Sequence, residues 1–405
     1  MRRVQRGAFL APSLSSSFKK GSFSKQDRAF ITDLSYGTLR HLRYLDACLA
    51  RRLKDANKLP ADIINILRLA SYELLIRQTP KHAAVNEWVD VSKQKYRKLS
   101  GLVNAVLKRL EPLENLTPAI KHSIPDWLYN DWETLFGDQA ANVAKSMNEA
   151  EPLWIYTYSD RAKDILEPEL KSLSEGPLSK TAALQAEKPL HELTAFKQGL
   201  IGAQNPASTL PVRLLNIQKG DAVLDLASGN GIKTAQLASL GAQVTSVELH
   251  EKKLKRAENN LNRLGLKASH IAHDLKTPPE LEPFNKVLLD APCSGTGTLR
   301  GHPEIKLRLS PEDVKNLAAL QKTMLETAWT LTRKGGTLIY AICALTSAES
   351  LEVIKAFLKN HNNARLLPIN AETWSLPIHQ TDFGSFVLPF DGLDGFFICH
   401  LEKSS

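Results

Sequence analysis

The 405-residue chain is poor in cysteine, and its four thiols (Cys48, Cys293, Cys343 and Cys399) form no CxxC pair and lie far apart. That spacing excludes a disulfide framework and a zinc site, and with no secretory signal legible ahead of them the thiols are expected to be reduced, in a cytoplasmic protein. Long apolar runs are missing too: none approaches the roughly 20 residues a membrane-spanning helix needs, so no membrane partner is expected. Acidic residues are absent from the first 26 positions, which hold three Arg and six Ser. Such a composition overlaps with organellar transit peptides. Pro12 and the Ser15–Ser17 run interrupt any long amphipathic helix there, which favours a basic arm or a first helix of the N-terminal domain.

What is present is an ordinary globular composition, 43% hydrophobic and 23% charged, with an uneven net charge of +9. Residues 1–110 carry +14 and the rest −5. A basic module joined to a near-neutral one suits a polyanion-binding domain coupled to a catalytic one, with RNA or DNA as the polyanion. A merely solubilising surface fits the charge alone equally well.

Helical spacing of Phe30, Leu34, Leu39, Leu42, Leu45 and Leu49 predicts helix from Lys25 to about Leu53, broken near Gly37. A second helix runs from Asp62 until Pro80 stops it, a third follows Pro80, and a fourth covers Leu102–Leu110. Residues 111–124 read as a linker and 125–148 as helix; Trp154–Tyr158 reads as a strand, and a helix is expected around Ile165–Leu173. After Pro206 apolar strands alternate with helices: Ala222–Leu226, Val244–Glu248, Ile271–Leu275, Lys286–Asp290 and Gly336–Ile342. That alternation predicts a mostly parallel, doubly wound sheet. The expected organisation is multidomain, with an all-α domain over 1–123, a small α/β subdomain over 124–205, and a Rossmann-like α/β domain over 206–405.

Acids recur at successive strand ends: Asp225, Glu248, Asp274 and Asp290. Asp225 leads into the turn Ala227-Ser228-Gly229-Asn230-Gly231, whose glycines Gly229 and Gly231 permit positive φ and close approach of a ligand. Glu248 is placed to accept both ribose hydroxyls of a nucleoside. An NAD site would call for a third glycine where Thr234 stands. S-adenosylmethionine, which has no phosphate and carries a cationic methionine end, suits the acidic loop better, with Asp274 near the adenine.

Two strand ends also deliver a thiol each, Cys293 three residues after Asp290 and Cys343 after the run Thr337–Ile342. Carbon 5 of cytosine is a poor nucleophile, but thiolate attack on carbon 6 turns the ring into an enamine able to take a sulfonium methyl. Cysteine suits this work because its free pKa of about 8.5 makes it partly thiolate near neutrality and a ready leaving group. Asp290 as a protonated carboxyl would bond the ring nitrogen 3 and exocyclic amine. Cys48 and Cys399 read as small buried hydrophobes.

Asp290-Ala291-Pro292-Cys293-Ser294-Gly295-Thr296-Gly297 with Arg300-Gly301-His302-Pro303, and Tyr340-Ala341-Ile342-Cys343-Ala344, resemble motifs IV and VI of the RNA 5-methylcytosine methyltransferases of the Nol1/Nop2/Sun type. Leu388-Pro389 and Asp394–Phe397 match that family's C-terminal strands. Tyr36–Arg40, Leu67–Leu75, Pro80–Glu87 and Gly101–Leu107 resemble a NusB-like RNA-binding domain, a fusion characteristic of the bacterial 16S rRNA (Sun/Fmu) branch. The resemblance implies Cys343 as nucleophile and Cys293 as the residue assisting product release. It also puts Asp225, Lys233, Glu248 and Asp274 at cofactor contacts and names 16S rRNA, at a loop or flipped cytosine, as substrate. A monomer without metal is expected. Departures are local: Ala227–Thr234 replaces a Cys-Ala-Ala-Pro-Gly-Gly-Lys-Thr segment, Asn205 and Ala344 stand where an acid and a serine are usual, and Tyr156–Tyr158 replaces Arg-Val-Asn. Asn230 in place of the proline is expected to loosen its turn. The rivals are an RNA-binding assembly scaffold with an impaired cofactor site and a tRNA cytosine-5 methyltransferase. Amino-group methylation fits less well, since that chemistry needs no nucleophile.

Overall fold

A computed structural model describes residues 1–404, which form two compact units. One is Met1–Glu149 together with Leu299–Leu309, and the other comprises Ala150–Thr298 and residues 310–404.

The first unit is all-α. Its main helices are Lys25–Arg40, Leu42–Ala50, Ala61–Leu75, Lys81–Tyr96 and Ser100–Lys108, followed by Asp126–Phe136 and Ala140–Ser146. Ser24 starts the first of them with a reciprocal capping box to Asp27. Apolar faces from four helices meet in a core containing Leu49, Ile63, Leu67, Val85, Val103 and Leu107. The break expected near Gly37 falls at His41 instead, and Gly37 lies inside the helix. Its lack of a side chain serves packing, because a Cβ there would collide with the Tyr72 ring. Leu10–Lys20 is also helical, in line with the first helix that the sequence offers as one reading, and at 11 residues it is not the long helix that Pro12 was expected to interrupt. Pro12 is its third residue, where no intrahelical N–H is required, and the Ser13 and Ser17 hydroxyls donate to the carbonyls of Phe9 and Ser13. The 111–124 segment contains one short helix, Pro118–Lys121.

The second unit holds two sheets. A small antiparallel sheet comprises β1 (Leu153–Thr157), β2 (Leu170–Glu175), β3 (Thr181–Ala186) and β4 (Ile201–Ala203), in the order β2-β3-β1-β4. The helix expected over Ile165–Leu173 is confined to Ala162–Leu166, and Leu170 onward is strand. Pro168 in the intervening turn breaks the helical register, and pairing with β3 takes the following residues.

The large sheet is built from β5 (Ala222–Leu226), β6 (Gln243–Glu248), β7 (Ser269–Ala272), β8 (Phe284–Asp290), β9 (Thr332–Ile342), β10 (Ala364–Leu366), β11 (Ile378–Thr381), β12 (Gly384–Val387) and β13 (Phe396–Lys403). Strands β7-β6-β5-β8-β9 run parallel, and β13, β12 and β11 continue the sheet antiparallel from β9. Val223, Leu224, Leu226, Val287–Leu289 and Leu338–Ile342 are all fully buried, as expected for strands covered on both faces. From β5 the chain winds outward to β6 and β7 on one side and to β8 and β9 on the other, so the switch point lies at the carboxyl ends of β5 and β8. In open α/β sheets that crevice is where ligands bind.

Gly37→Ala tests the packing account. Helix propensity alone would stabilise it by about 1 kcal/mol, whereas overpacking against Tyr72 costs about 1–3 kcal/mol. Denaturant unfolding is expected to show net destabilisation, and a more stable variant would refute the steric reading.

Candidate active site

At the end of β5, Asp225 is fully buried, and its Oδ2 accepts the Thr234 hydroxyl at 2.6 Å. The following turn is built on left-handed residues, Ala227 (φ 57°), Gly229 (59°) and Gly231 (75°), and closes with the Gly231 amide donating to the Ser228 carbonyl at 2.9 Å. A Cβ on Gly231 would strike Ala257 of the helix Glu251–Leu264, so this glycine permits both the backbone turn and the helix contact. Glu248, ending β6, accepts the Gly229 amide on Oε2 at 3.0 Å and the His250 amide on Oε1 at 3.1 Å, with Lys253 Nζ 3.3 Å from Oε1. One carboxylate thus ties two strand ends together and keeps lone pairs free for hydroxyl donors.

A cavity of about 310 Å³ opens over these ends, lined by Glu248, Asp274 and Asp290, by Lys253 and Lys276 with His250 and His273, and by Ala227, Pro292 and the apolar side chains of Leu249, Leu275, Leu320 and Met324. Of the residues singled out in the sequence, Glu248, Asp274 and Asp290 line it, while Asp225 and Lys233 are buried beside it and Gly229 and Gly231 form the neighbouring turn. Two buried oxygens near that turn, Asp225 Oδ1 and Ser228 Oγ, have no hydrogen-bond partner among the described residues. Acceptors left open at the glycine turn, with acids and apolar side chains together in the cavity lining, fit a ligand with a cationic end, a ribose and a flat base. S-adenosylmethionine has those parts.

Lys233, in the first turn of Ile232–Ser239, reaches Asp290 Oδ2 at 2.7 Å and lies 5.3 Å from the centre of the Phe396 ring. Burial by itself pulls this ammonium down, but the Asp290 carboxylate, with smaller contributions from Cys343 and Asp225, outweighs burial and holds it above the ordinary lysine value. The Asp290 carboxylate is therefore matched by a fixed positive charge.

The two cysteines meet. Cys293 Sγ and Cys343 Sγ are 3.3 Å apart, both free and partly accessible. Parallel pairing of β8 with β9 sets Asp290 opposite Ala341, so the loops that follow leave the sheet side by side. They are then stitched together: Ala291 N–H donates to the Ala341 carbonyl (3.0 Å), Gly297 N–H to that of Cys343 (3.0 Å), and Leu345 N–H to Thr296 Oγ1 (2.8 Å). Gly297 is also packed backbone to backbone against Gly395 and would admit no Cβ. The Cys293 thiol is pushed well above its ordinary range, first by its hydrogen bond with Cys343, then by burial and by the nearby Cys343 and Glu349 charges. Cys48 and Cys399 are buried in hydrophobic surroundings, as read from the sequence.

Thr296 had no assigned role in the sequence reading, since its contact with Leu345 joins residues 49 apart. Asn205 acts through all of its amide: Oδ1 accepts the amides of Ala207 and Asp394, each at 3.1 Å, and Nδ2 donates to the Gly392 carbonyl at 3.4 Å. A carboxylate could not make that last bond. Arg300 of the extended motif is 1% exposed within the helical unit, where Nε donates to the Ser146 carbonyl at 3.0 Å.

Burial pushes the Asp225 carboxyl up to about 7 from 3.8, with the Asp290 charge adding to the rise and the Thr234 and Lys233 contacts opposing it. Because the folded value is the higher one, the proton is bound more tightly in the folded state. Stability is unaffected below about pH 4, falls as pH rises towards 7, and above that carries a constant penalty of at most about 4 kcal/mol. Asp225→Asn, which can still accept from Thr234, is expected to be more stable than the parent at pH 8, with the gain disappearing by pH 4. Thermal melts across that range check it; a pH-independent difference would refute the assignment.

The NusB family matches residues 3–112 and the 16S rRNA methyltransferase RsmB/F family matches residues 212–402. The chain is 39% identical over 400 residues to ribosomal RNA small subunit methyltransferase B of Thermus thermophilus, covering 99% of this chain and 95% of that protein. It is 31% identical to the probable ribosomal RNA small subunit methyltransferase B of Bacillus subtilis, over 96% and 94% of the two chains. The crystal structure of PH0851 superposes with a TM-score of 0.80 at 23% identity over 99% of this chain and 96% of its own. NSun6 from Pyrococcus horikoshii, crystallised with SFG, gives 0.61 at 20% identity over 69% and 98%. By sequence over nearly its whole length, then, the chain belongs to the ribosomal RNA small subunit methyltransferase B family of S-adenosylmethionine-dependent rRNA methyltransferases.

Proposed function

We propose that the protein methylates carbon 5 of a cytosine in 16S rRNA through a covalent adduct between Cys343 and carbon 6. The observation that carries this reading is the 3.3 Å approach of two free thiols at adjacent strand ends, next to the cofactor-sized cavity. A methyltransferase acting on an amino group or hydroxyl has no need of one sulfur, still less of two.

Glu248 and Asp274 hold the nucleoside part of the cofactor, and the glycine turn with Asp225 holds its amino-acid end. When bound there, S-adenosylmethionine supplies an electrophilic methyl group. Cys343 attacks carbon 6 as thiolate, and the electron pair of the carbon 5–carbon 6 bond moves towards carbon 5, which thereby becomes nucleophilic. Asp290, paired as a carboxylate with Lys233 rather than protonated as the sequence suggested, accepts from the exocyclic amine, while Lys233 places a fixed positive charge where the ring gains electron density. After methylation the proton leaves carbon 5, the carbon–sulfur bond breaks with its electron pair returning to Cys343, and Cys293 assists that departure.

Carbon 6 is covered in a stacked helix, so the target cytosine is in a loop or flipped out. The +14 charge of residues 1–110 supports a helical unit that grips phosphates. Its basic run Lys93–Lys98 ends the helix Lys81–Tyr96; Lys93 and Lys95 pair with Asp90 and Asp62 at 2.7 and 3.0 Å in solvent-exposed contacts that phosphate can displace. We read the enzyme as a cytoplasmic monomer.

Cys343→Ala is expected to abolish both turnover and adduct. Cys293→Ala is expected to accumulate a covalent protein–RNA species stable to denaturing electrophoresis, and normal turnover in either variant sinks the mechanism. Bisulfite sequencing of rRNA from a deletion strain should show one cytosine losing protection.

A further inference from the structure

Glu349 lies in the turn between β9 and the helix Leu351–Asn360 and is 0% exposed. Its Oε1 accepts the Ser294 amide at 2.8 Å and Gln321 Nε2 at 3.0 Å, and its Oε2 accepts the Thr346 hydroxyl at 2.8 Å. Gln321 Nε2 also donates to the Pro292 carbonyl at 2.9 Å. The Tyr340 hydroxyl donates to the Glu349 carbonyl at 2.9 Å. Every partner of the carboxylate is neutral. A buried charge without a counter-ion is a poor stabiliser, and apolar packing would serve the fold as well or better. Its bonds to Ser294 and Thr346, and the bond of its partner Gln321 to Pro292, however, converge on one place: Pro292 and Ser294 flank Cys293, and Thr346 lies three residues after Cys343.

We propose that Glu349 is the positioning residue of the thiol pair, fixing the backbone on both sides of Cys293 and, by its negative charge, dividing the labour between the two sulfurs. The proton stays on Cys293, which donates S–H to Cys343, and Cys343 is the thiolate. During release the carbon 6–sulfur bond breaks, its electron pair stays on Cys343, the carbon 5 proton passes to water, and the Cys293 S–H receives the departing thiolate by hydrogen bonding. The groups facing Cys293 are Cys343, Glu349 and the Tyr340 phenol, with Lys233 on the Cys343 side. Of the charged ones, only Glu349 opposes a charge on Cys293 without belonging to the reacting set. The raised Cys293 thiol accords with that placement, after the larger effects of Cys343 and burial.

This inference rests on the roles assigned to the two cysteines in the proposed function, and its test is separable from theirs. Glu349→Gln keeps an oxygen for Ser294 and Gln321 and removes the charge. Iodoacetamide labelling of the full-length, RNA-free protein near pH 8, read by peptide mass spectrometry, gives the Cys343:Cys293 ratio directly. We expect that ratio to fall about tenfold, the equivalent of about one pKa unit between the thiols, with kcat reduced and the KM for S-adenosylmethionine unchanged. An unaltered labelling ratio overturns the proposal, whatever the activity. If Glu349→Gln does not fold, Gln321→Met releases the Pro292 carbonyl while keeping the charge. It should lower kcat with the labelling ratio still favouring Cys343, and an unchanged kcat would overturn the positioning role. Adduct formation by Cys343→Ala would sink the assigned cysteine roles instead, without bearing on the labelling result.

Discussion

Parallel pairing of β8 with β9 is the constraint from which the candidate site follows. With Asp290 opposite Ala341, two loops of unrelated sequence leave the same edge of the sheet at the same height, and side chains three and two residues further on are forced into one another's neighbourhood. Val287–Leu289 and Leu338–Ile342 are buried on both faces, so a one-residue slip would not expose them and burial alone does not choose the register. The register is held by the bonds between the loops that follow, Ala291 N–H to the Ala341 carbonyl, Gly297 N–H to that of Cys343 and Leu345 N–H to Thr296 Oγ1, and it brings Sγ to Sγ. Close approach of Gly297 and Gly395 adds a second restraint, since the antiparallel β13 delivers Gly395 only if β9 is correctly placed.

The two ends of the site handle charge differently. Around Asp290 a carboxylate and a buried ammonium are matched, so that side is electrostatically settled. Asp225 and Glu349 have no cation bonded to them, and each is held by neutral donors in a fully buried setting. Desolvating a carboxylate costs several kcal/mol that a few neutral hydrogen bonds only partly return. Stability does not explain such groups, and their positions, one at the cofactor turn and one behind the thiols, tie the cost to chemistry.

Much of this arrangement was legible in the chain. Strand ends carrying Asp225, Glu248 and Asp290 could be read because parallel strands are short, apolar and bounded by turn residues, whereas the strand expected over Ile271–Leu275 is Ser269–Ala272 and leaves Asp274 in the loop after it. The helical unit was readable from its 3.6-residue periodicity. Less visible were features decided by partners distant in sequence. Gly37 looks like a helix breaker until Tyr72 is packed against it. Leu170–Glu175 is an edge strand with little apolar alternation, and only β3 makes it a strand. The cavity wall formed by Leu320 and Met324 comes from a helix, Pro311–Thr330, whose sequence signals core packing and nothing more.

The placement of Leu299–Leu309 has a mechanical consequence. This segment leaves the Cys293 loop after Thr298 yet belongs to the helical unit, where Leu10 N–H donates to Glu304 Oε1 at 3.2 Å and Lys306 Nζ donates to the Arg40 carbonyl at 2.7 Å. Burial, with repulsion from Arg40 and Arg43, pulls the Lys306 ammonium down to about 7, so it is held by neutral acceptors in a site that disfavours its charge. The chain therefore crosses between the two units at Thr298–Leu299 and Leu309–Ser310 as well as at Glu149–Ala150. A domain joined by one linker can reorient without disturbing either partner. Three crossings, one of them only five residues after Cys293, instead tie the backbone of the helical unit to the loop that carries this thiol.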